Sequence, residues 1–231
     1  MNLLNSLIDL IFPKICFSCD KRLVKNEKVL CNKCENSLEI ITNVCDICGS
    51  ILESENCNIC QVNDFYFDKA RSIYKFNDTV QKLIHELKYN DFKIIAKFFG
   101  RKVNNYFEKF SPFSKIDMIV PVPLHRTKKR SRGFNQSELL ASAISDQINI
   151  KHIPKLLKRT KFTDSQTKLS RSERQNNVAE AFKVNAKFDV KGKNILVVDD
   201  VFTTGSTVNS ISRLLREQDV GKIFIFTIAR A

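Results

Sequence analysis

The stretch Ile195-Leu-Val-Val-Asp-Asp-Val-Phe-Thr-Thr-Gly-Ser-Thr207 decides the fold. It opens with four consecutive apolar residues, a pattern typical of a parallel strand that is covered on both faces. Asp199 and Asp200 follow this apolar run, and a loop rich in hydroxyl groups leads into a helix predicted over residues 207–217. We therefore expect a buried strand that ends, at the carboxyl edge of a sheet, in two carboxylates and a polar loop.

This strand, loop and helix have the chemistry of a ribose 5-phosphate site. Free backbone N–H groups at a helix start bind anions, and a glycine allows the backbone to close around a phosphate. The two carboxylates are placed to accept hydrogen bonds from the vicinal hydroxyls of a sugar. The alternative is a generic strand end followed by a Ser/Thr-capped helix, but such a strand end needs neither both acids nor the whole polar run. The predicted phosphate cradle comprises Thr203, Thr204, Gly205, Ser206 and Thr207.

The segments around this stretch alternate between strand and helix patterns from about residue 65 onward. The apolar periodicity predicts strands over residues 65–74, 117–122 and 222–228, and helices over residues 80–88, 94–107 and 133–149. Alternating strands and helices indicate an α/β fold with a mostly parallel sheet. We assign this fold to a domain over residues 65–231, preceded by a smaller module over residues 1–64.

The smaller module contains all eight cysteines of the chain, arranged as four CxxC pairs. A CxxC pair on a tight turn offers two thiolates to one ion, and two such pairs complete the tetrahedral shell of a zinc site. The intervals between the pairs suit short hairpins, as in zinc ribbons. Interleaved pairing and a single occupied site are alternatives, whereas sequential pairing predicts one site from Cys16, Cys19, Cys31 and Cys34 and a second from Cys45, Cys48, Cys57 and Cys60.

Other uses of the cysteines fit the sequence less well. A disulfide framework needs an oxidising compartment, and the opening residues show neither the basic start nor the cleavage site of a secretory signal. A redox dithiol explains one CxxC pair but not four, and an iron–sulfur site is compatible with the spacing. We favour structural zinc, because about 60 residues cannot bury enough apolar surface to fold alone. An all-thiolate shell also leaves no open position for catalysis.

The two parts of the chain carry opposite net charges. Residues 1–64 have a net charge of −3 and residues 65–231 a net charge of +16, in a chain whose total is +13. A strongly basic module attracts polyanions such as nucleic acid, an acidic membrane surface or a phosphorylated small molecule. Solvated lysines without a ligand are the alternative, and composition alone does not choose between the two.

The apolar runs of the chain are short. None approaches the roughly 18–20 residues that a membrane span requires, and the opening apolar stretch contains Asp9. We therefore expect a soluble, cytoplasmic protein with no transmembrane segment, one core of ordinary size and a small appendage.

Several motifs resemble those of a known family. The 195–207 segment is similar to the phosphoribosyl pyrophosphate (PRPP) signature of type I phosphoribosyltransferases. The cysteine module is similar to that of the ComF/GntX family. Four further motifs also resemble this family: Leu87-Lys88-Tyr89, Val120-Pro-Val-Pro-Leu-His125, Arg132-Gly-Phe-Asn-Gln136 and Gln166-Thr-Lys-Leu-Ser-Arg-Ser-Glu-Arg174. Because these motifs follow one another in the family's order, the resemblance is more specific than a single phosphate loop.

This resemblance implies roles for particular residues. Asp199 and Asp200 would hold the ribose hydroxyls and stabilise the positive charge that develops on the sugar as pyrophosphate leaves. Lys128 and Arg132 follow the 120–125 motif, where related enzymes have their pyrophosphate loop.

The resemblance also implies a hood over the site. The 159–174 segment looks like the mobile hood that closes over PRPP, and Arg159 and Arg174 are its candidate phosphate ligands. A solvated charge run is the alternative for this segment. Magnesium would arrive with PRPP and have few protein ligands, since Mg²⁺ gives up its water reluctantly.

The function implied by the resemblance has two forms. In the first, the protein binds PRPP and handles incoming single-stranded DNA in natural transformation, with a competence helicase or the membrane uptake machinery as partners. The alternative is an active phosphoribosyltransferase with an unidentified acceptor, although no base that would activate the acceptor is evident. A net charge of +9 over residues 126–174 suits the first form. Phe134, Phe162 and Phe182 are candidates for base stacking, and apolar packing is the favoured alternative for each.

Overall fold

The structure, a computed structural model, describes residues 13–24, 26–90, 93–161 and 181–231. Its strands and helices are interspersed from residue 69 onward: one or two helices separate most neighbouring strands, and in the described part of the chain three strands follow one another between residues 157 and 202. In chain order they are Asn32–Asn36 (α1), Asn58–Gln61 (α2), Lys69–Lys75 (β1), Asp78–Tyr89 (α3), Lys93–Phe110 (α4), Met118–Pro121 (β2), Arg126–Arg132 (α5), Gln136–Ile148 (α6), Leu157–Arg159 (β3), Phe182–Val184 (β4), Ile195–Phe202 (β5), Ser206–Arg216 (α7) and Ile223–Arg230 (β6).

The centre of the molecule is a parallel sheet. In the described part of the chain it contains four strands in the order β1, β6, β5 and β2, and each neighbouring pair is parallel. Because parallel strands point the same way, their carboxyl ends meet at one edge. The predicted α/β fold with a parallel sheet is confirmed.

Both faces of the sheet are buried because its strands are apolar on both sides. Along β5, Leu196 and Val198 pack against one apolar cluster and Ile195 and Val197 against the other. Helices α3, α4 and α6 contribute to the first cluster, whereas α7 and the antiparallel β3–β4 pair contribute to the second. Within the described ranges, no helix is long and apolar enough to cross a membrane.

Helix α3 illustrates how sequence spacing builds the first cluster. The Asn77 side chain caps the helix by accepting a hydrogen bond from Val80 N–H at 3.0 Å. Val80, Leu83, Ile84 and Leu87 then recur at the spacing of one helix face, and all four are buried. The polar residues of α3 include Lys88 in its last turn, which reaches the carboxyl edge of the sheet.

Three local features differ from the predictions. The β1 strand begins at Lys69 rather than at residue 65, because its partner strand β6 begins only at Ile223. The β5 strand continues past the apolar run to Phe202, so the two acids lie inside the strand rather than beyond it. The expected pyrophosphate loop is the helix α5, which the His125 side chain caps at its start and which Gly133 ends with a left-handed backbone.

The cysteine module packs against the free edge of the sheet. Ile41 N–H donates to Ile73 O at 2.7 Å and Lys75 N–H donates to Glu39 O at 3.0 Å, so residues 39–41 cover β1. This contact satisfies backbone groups that an open edge strand would leave unpaired. The same module adds apolar side chains, including Cys16 and Leu30, to the cluster that contains α3.

Candidate functional site

The loop after β5 forms an open cradle at the start of α7. Gly205 has a φ of 75°, and a Cβ at this position would lie 2.5 Å from the Phe202 ring. Glycine is therefore needed here for both its backbone freedom and its lack of a side chain. As the N-cap of α7, Gly205 also has no side chain to cap the first N–H groups of the helix. The cradle hydroxyls are accessible, since Thr203, Thr204 and Ser206 are exposed.

The two carboxylates lie side by side in β5, just before the cradle. Asp199 Oδ1 accepts hydrogen bonds from Ser137 Oγ at 2.7 Å and from the Asp200 N–H at 2.9 Å. Asp200 Oδ1 accepts a bond from Val201 N–H at 2.9 Å, and its Oδ2 pairs with Lys88 Nζ at 2.7 Å. The carboxylates therefore contact residues from the end of α3 and the start of α6 at the carboxyl edge of the sheet.

The surroundings of Asp199 oppose its ionisation. Burial raises the pKa of Asp199 to about 7, and the charge of Asp200 adds to this shift, whereas the Ser137 hydroxyl and the Lys88 charge act in the opposite direction. Arg159 on β3 lies within the field of the same group: burial lowers the pKa of Arg159 and the charge of Asp199 opposes that shift. A partly buried acid whose pKa lies near neutral pH is typical of a functional site.

The predicted basic ligands have different positions. Arg159 is half-buried near Asp199, with its guanidinium 5.4 Å from the centroid of the Phe182 ring. Lys128 and Arg132 lie on α5, where Lys128 is exposed and Arg132 donates to the Gln136 side chain at 3.1 Å. Arg174 and the rest of the expected hood from residue 162 onward lie outside the described residues.

Lys88 and Ser137 belong to the site, although their contacts were not predicted. Asn135 holds Ser137 in place by accepting a bond from its N–H at 3.1 Å and by donating to Val122 O at 3.0 Å. Lys88 lies within the motif Leu87-Lys88-Tyr89, and Ser137 directly follows the motif that ends at Gln136. These motifs mark both residues as part of the family resemblance, but the sequence does not show that they meet at β5.

The cysteines form two groups of four among the described residues. Within each group the ligand atoms all lie within 4.8 Å of one another. The predicted sequential pairing is therefore confirmed. One group consists of Cys16, Cys19, Cys31 and Cys34, and the other consists of Cys45, Cys48, Cys57 and Cys60.

The sulfur positions fit zinc. In the first group, the Sγ atoms of Cys19 and Cys31 are 3.6 Å apart. In the second, the Sγ–Sγ distance is 3.6 Å from Cys45 to Cys60 and 3.5 Å from Cys48 to Cys57. Four thiolates around a tetrahedral zinc, with Zn–S bonds of about 2.3 Å, lie about 3.8 Å apart. Because every ligand is a thiolate, these are structural sites.

Arg230 connects the second cysteine group with the cradle. It donates to Cys48 O at 2.8 Å, and its guanidinium lies 4.3 Å from the centroid of the Phe202 ring. The Phe202 ring in turn occupies the space beside Gly205. Arg71 contacts the same cysteine turn from β1, where it donates to Cys45 O at 3.1 Å.

Comparisons with known proteins agree with both parts of this architecture. The family model of the phosphoribosyl transferase domain matches residues 134–231, and that of the double zinc ribbon domain matches residues 7–62. A crystal structure of adenine phosphoribosyltransferase covers 59% of this chain and 70% of its own at 15% identity, with a TM-score of 0.40, which is too low to compare the two sites.

Similar curated proteins align along nearly the whole chain. Competence protein F of Haemophilus influenzae is 31% identical over 94% of this chain and 96% of its own length. DNA utilization protein YhgH of Escherichia coli strain K12 and competence protein ComFC of Bacillus subtilis are each 27% identical over 96% of this chain, and over 99% and 97% of their own lengths. With its double zinc ribbon and its phosphoribosyltransferase-like sheet, the chain belongs to the ComF family of competence proteins.

Proposed function

We propose that this chain binds PRPP at the carboxyl edge of its sheet and handles incoming single-stranded DNA in natural transformation. The observation that carries the PRPP half is the open cradle of residues 203–207, which follows the acid pair of half-buried Asp199 and buried Asp200 in β5. The 5-phosphate accepts hydrogen bonds from the first N–H groups of α7 and from the cradle hydroxyls. The ribose hydroxyls donate to Asp199 and Asp200.

The Lys88–Asp200 ion pair has to open for this mode of binding. Its Nζ–Oδ2 distance of 2.7 Å leaves that oxygen engaged, while Oδ1 already accepts a backbone N–H. Only 7% of the Asp200 side chain is exposed, against 27% of the Lys88 side chain that pairs with it, so access to Oδ2 is limited by Lys88. A ribose hydroxyl is proposed to displace Lys88 from this oxygen.

The leaving group of PRPP needs positive charge, and the proposed donors are basic residues around the edge. Arg159 is proposed as one donor because it lies within the electrostatic influence of Asp199, and Lys128 and Arg132 on α5 are proposed as two more. Arg174 is proposed as a further ligand from the hood. Mg²⁺ is proposed to bind through the phosphate oxygens of PRPP, with few protein ligands.

The DNA half of the proposal is supported by charge and by the relatives. Residues 65–231 carry a net charge of +16, which favours binding to a phosphate backbone. The names of the similar proteins refer to competence and to DNA utilization. We propose incoming single-stranded DNA as the partner, together with a competence helicase or the membrane uptake machinery.

A double substitution separates the two halves. We expect Asp199→Asn plus Asp200→Asn to abolish PRPP binding measured by calorimetry, because both sugar ligands are altered, and to leave the affinity for a single-stranded oligonucleotide within about twofold. DNA binding in the unmodified protein should weaken steeply as salt is added. PRPP binding that survives the double substitution contradicts the proposed site, and DNA binding that is absent or insensitive to salt contradicts the handling role.

A second candidate function is phosphoribosyl transfer, which the adjacent carboxylates of Asp199 and Asp200 favour. As the bond from C1 to the pyrophosphate breaks, these charges stabilise the positive charge on the ribose ring. Incubation with PRPP, Mg²⁺ and candidate acceptors should then release pyrophosphate at a rate that depends on the acceptor. Release that no acceptor accelerates contradicts the transferase and leaves PRPP binding alone.

A further inference from the structure

The basic helix α5 and the aromatic side chain of Tyr89 lie together at the carboxyl edge of the sheet. We propose that they form one binding surface for single-stranded nucleic acid, in which α5 holds the phosphate backbone and a base stacks on the group formed by Tyr89, His85 and Arg132. This inference rests on the proposed DNA function and gives that function a location.

Helix α5 has the composition of a phosphate-binding surface. Five of the seven residues in Arg126–Arg132 are lysine or arginine, and the helix has no buried residue. Its acidic neighbour is Glu138, which pairs with Lys129 at 3.1 Å. The helix therefore contributes almost nothing to the core and concentrates positive charge at the surface.

Tyr89 supplies a platform beside this charge. It is 57% exposed at the end of α3, which is high for a large aromatic side chain. The His85 ring lies 4.7 Å from the Tyr89 ring between centroids, and the Arg132 guanidinium lies 4.9 Å from the Tyr89 centroid. Arg132 also donates to the Tyr89 hydroxyl at 3.4 Å, which joins the end of α5 to the end of α3. Exposed rings and guanidinium planes are the groups on which bases of single strands stack.

The phenylalanines considered from the sequence are less suited to stacking. Phe182 is only 3% exposed because it packs within the second apolar cluster, so apolar packing, the favoured alternative, is confirmed for this residue, and it is not available for base stacking. Phe134 is half-buried, and Phe162 lies outside the described residues. A base cannot reach Phe182 without unpacking the core, whereas Tyr89 is accessible as it stands.

The platform favours single strands over duplex. Bases in a duplex are stacked on one another and present only their edges in the grooves. An exposed aromatic face next to a strip of phosphate ligands requires unstacked bases. The platform is also adjacent in sequence to Lys88, so a strand bound there passes the proposed PRPP site.

The stacking half is tested with a matched pair of tyrosines. Tyr66 is 44% exposed and has the Arg213 guanidinium 5.9 Å from its ring centroid, but it lies next to α7 rather than next to α5. We expect Tyr89→Leu to weaken binding of a fluorescein-labelled oligothymidylate about 5- to 100-fold in fluorescence anisotropy. Tyr66→Leu should change the affinity less than twofold, and Tyr89→Trp should retain it.

The backbone half is tested with matched charge changes. One triple variant replaces Arg126, Lys129 and Arg130 of α5 by Gln, which spares the proposed pyrophosphate ligands. The control replaces three exposed lysines elsewhere by Gln: Lys183, Lys187 and Lys191. The slope of log affinity against log salt should fall by about 2 for the α5 variant, since each phosphate contact to a single strand contributes about 0.7. The control should keep a slope close to that of the unmodified protein.

The outcomes separate the two levels of the proposal. If the unmodified chain does not bind the oligonucleotide, the proposed DNA function fails and the surface fails with it. If binding occurs but Tyr89→Leu matches Tyr66→Leu, or the two triple variants lose affinity equally, the location is wrong while the DNA function stands. Melting temperatures within about 2 °C of the unmodified protein confirm that the variants are folded.

Discussion

Asp199 is a carboxyl group whose surroundings oppose its ionisation. Burial and the neighbouring Asp200 raise its pKa in the folded chain to about 7, well above its usual range near 4. In the unfolded chain the group ionises as pH rises past about 4, whereas in the folded chain it stays protonated until about pH 7. The group therefore lowers the stability of the fold progressively between these two pH values, and the loss is complete above pH 7.

We expect Asp199→Asn to stabilise the chain at pH 8 and to have little effect at pH 4. The gain at pH 8 has an upper bound of about 4 kcal/mol, because each unit of pKa shift corresponds to ~1.4 kcal/mol. Thermal melting at both pH values measures it. Asp117→Asn is a control with the opposite sign, since the Asn194 N–H lowers the pKa of Asp117: the substitution should destabilise the chain at neutral pH, and this effect should shrink as pH falls through that lowered pKa. A stabilisation by Asp199→Asn that is independent of pH contradicts this account.

Gly205 allows the packing beneath the cradle to be tested. Both Gly205 and Gly192 have a left-handed backbone, but a Cβ on Gly192 meets nothing within 4 Å, whereas one on Gly205 collides with Phe202. We expect Gly192→Ala to cost about 1 kcal/mol, from the backbone alone. Gly205→Ala should cost a further ~1–3 kcal/mol from overpacking and should also weaken PRPP binding. Chemical denaturation measures the difference, and equal costs for the two variants would show that Phe202 simply moves aside.

At the scale of elements, strong apolar periodicity is what the sequence reveals. It predicted β5, α3, α4 and α6, because each has a long buried face. It did not reveal α5, which is all polar and is held by a cap and a terminal glycine, or the three-residue strands of the β3–β4 pair. Nor did it reveal that residues 39–41 cover the edge of β1, because that contact is made by backbone groups and leaves no pattern of side chains.

The site was predictable to a similar extent. The strand, acids and cradle are continuous in sequence, so one motif predicted their arrangement. Lys88 and Ser137 reach the acids only through the packing of α3 and α6 on the sheet, and their side chains give no local sign of it. The zinc ligands were predictable because the CxxC spacing itself brings two thiolates together.

The last residues of β6 connect the zinc ribbon to the cradle. Arg230 bonds the Cys48 carbonyl and stacks on Phe202, and Arg71 bonds the same turn without contacting that ring. We expect Arg230→Met to keep both zinc ions and to weaken PRPP binding about tenfold, because the support beneath Phe202 loosens. Arg71→Met is the control and should leave PRPP affinity within about twofold.

Calorimetry and metal analysis of both arginine variants give the two readouts. Equal PRPP affinities in Arg230→Met and the unmodified protein would show that the ribbon does not support the cradle. Loss of one zinc ion from Arg230→Met together with full PRPP affinity would lead to the same conclusion.

At the scale of the whole molecule, the zinc module and the sheet share their apolar core. Three cysteines of the first group are buried in the cluster that also contains α3 and β5. Ser18 and Ser37 of the same module lie within 3.1 Å of the Thr79 hydroxyl at the start of α3. The module is therefore expected to fold and unfold together with the sheet rather than as a separate unit.

Removal of zinc should consequently destabilise the entire chain. We expect two zinc ions per chain by metal analysis, and a single unfolding transition that a chelator shifts down by about 10–20 °C, corresponding to a loss of about 5 kcal/mol. Circular dichroism of the helices reports on the sheet domain during this experiment. An early transition for the zinc module followed by an unchanged one for the helices would contradict a shared core.

The central claim, that the cradle after β5 holds the phosphate of a ribose, is tested most directly by a crystal structure of the zinc-loaded chain with PRPP and Mg²⁺. We expect the 5-phosphate on the N–H groups at the start of α7, the ribose hydroxyls on Asp199 and Asp200, and Lys88 displaced from its carboxylate. PRPP bound elsewhere, or an empty cradle at a PRPP concentration that saturates the protein in solution, would contradict the claim.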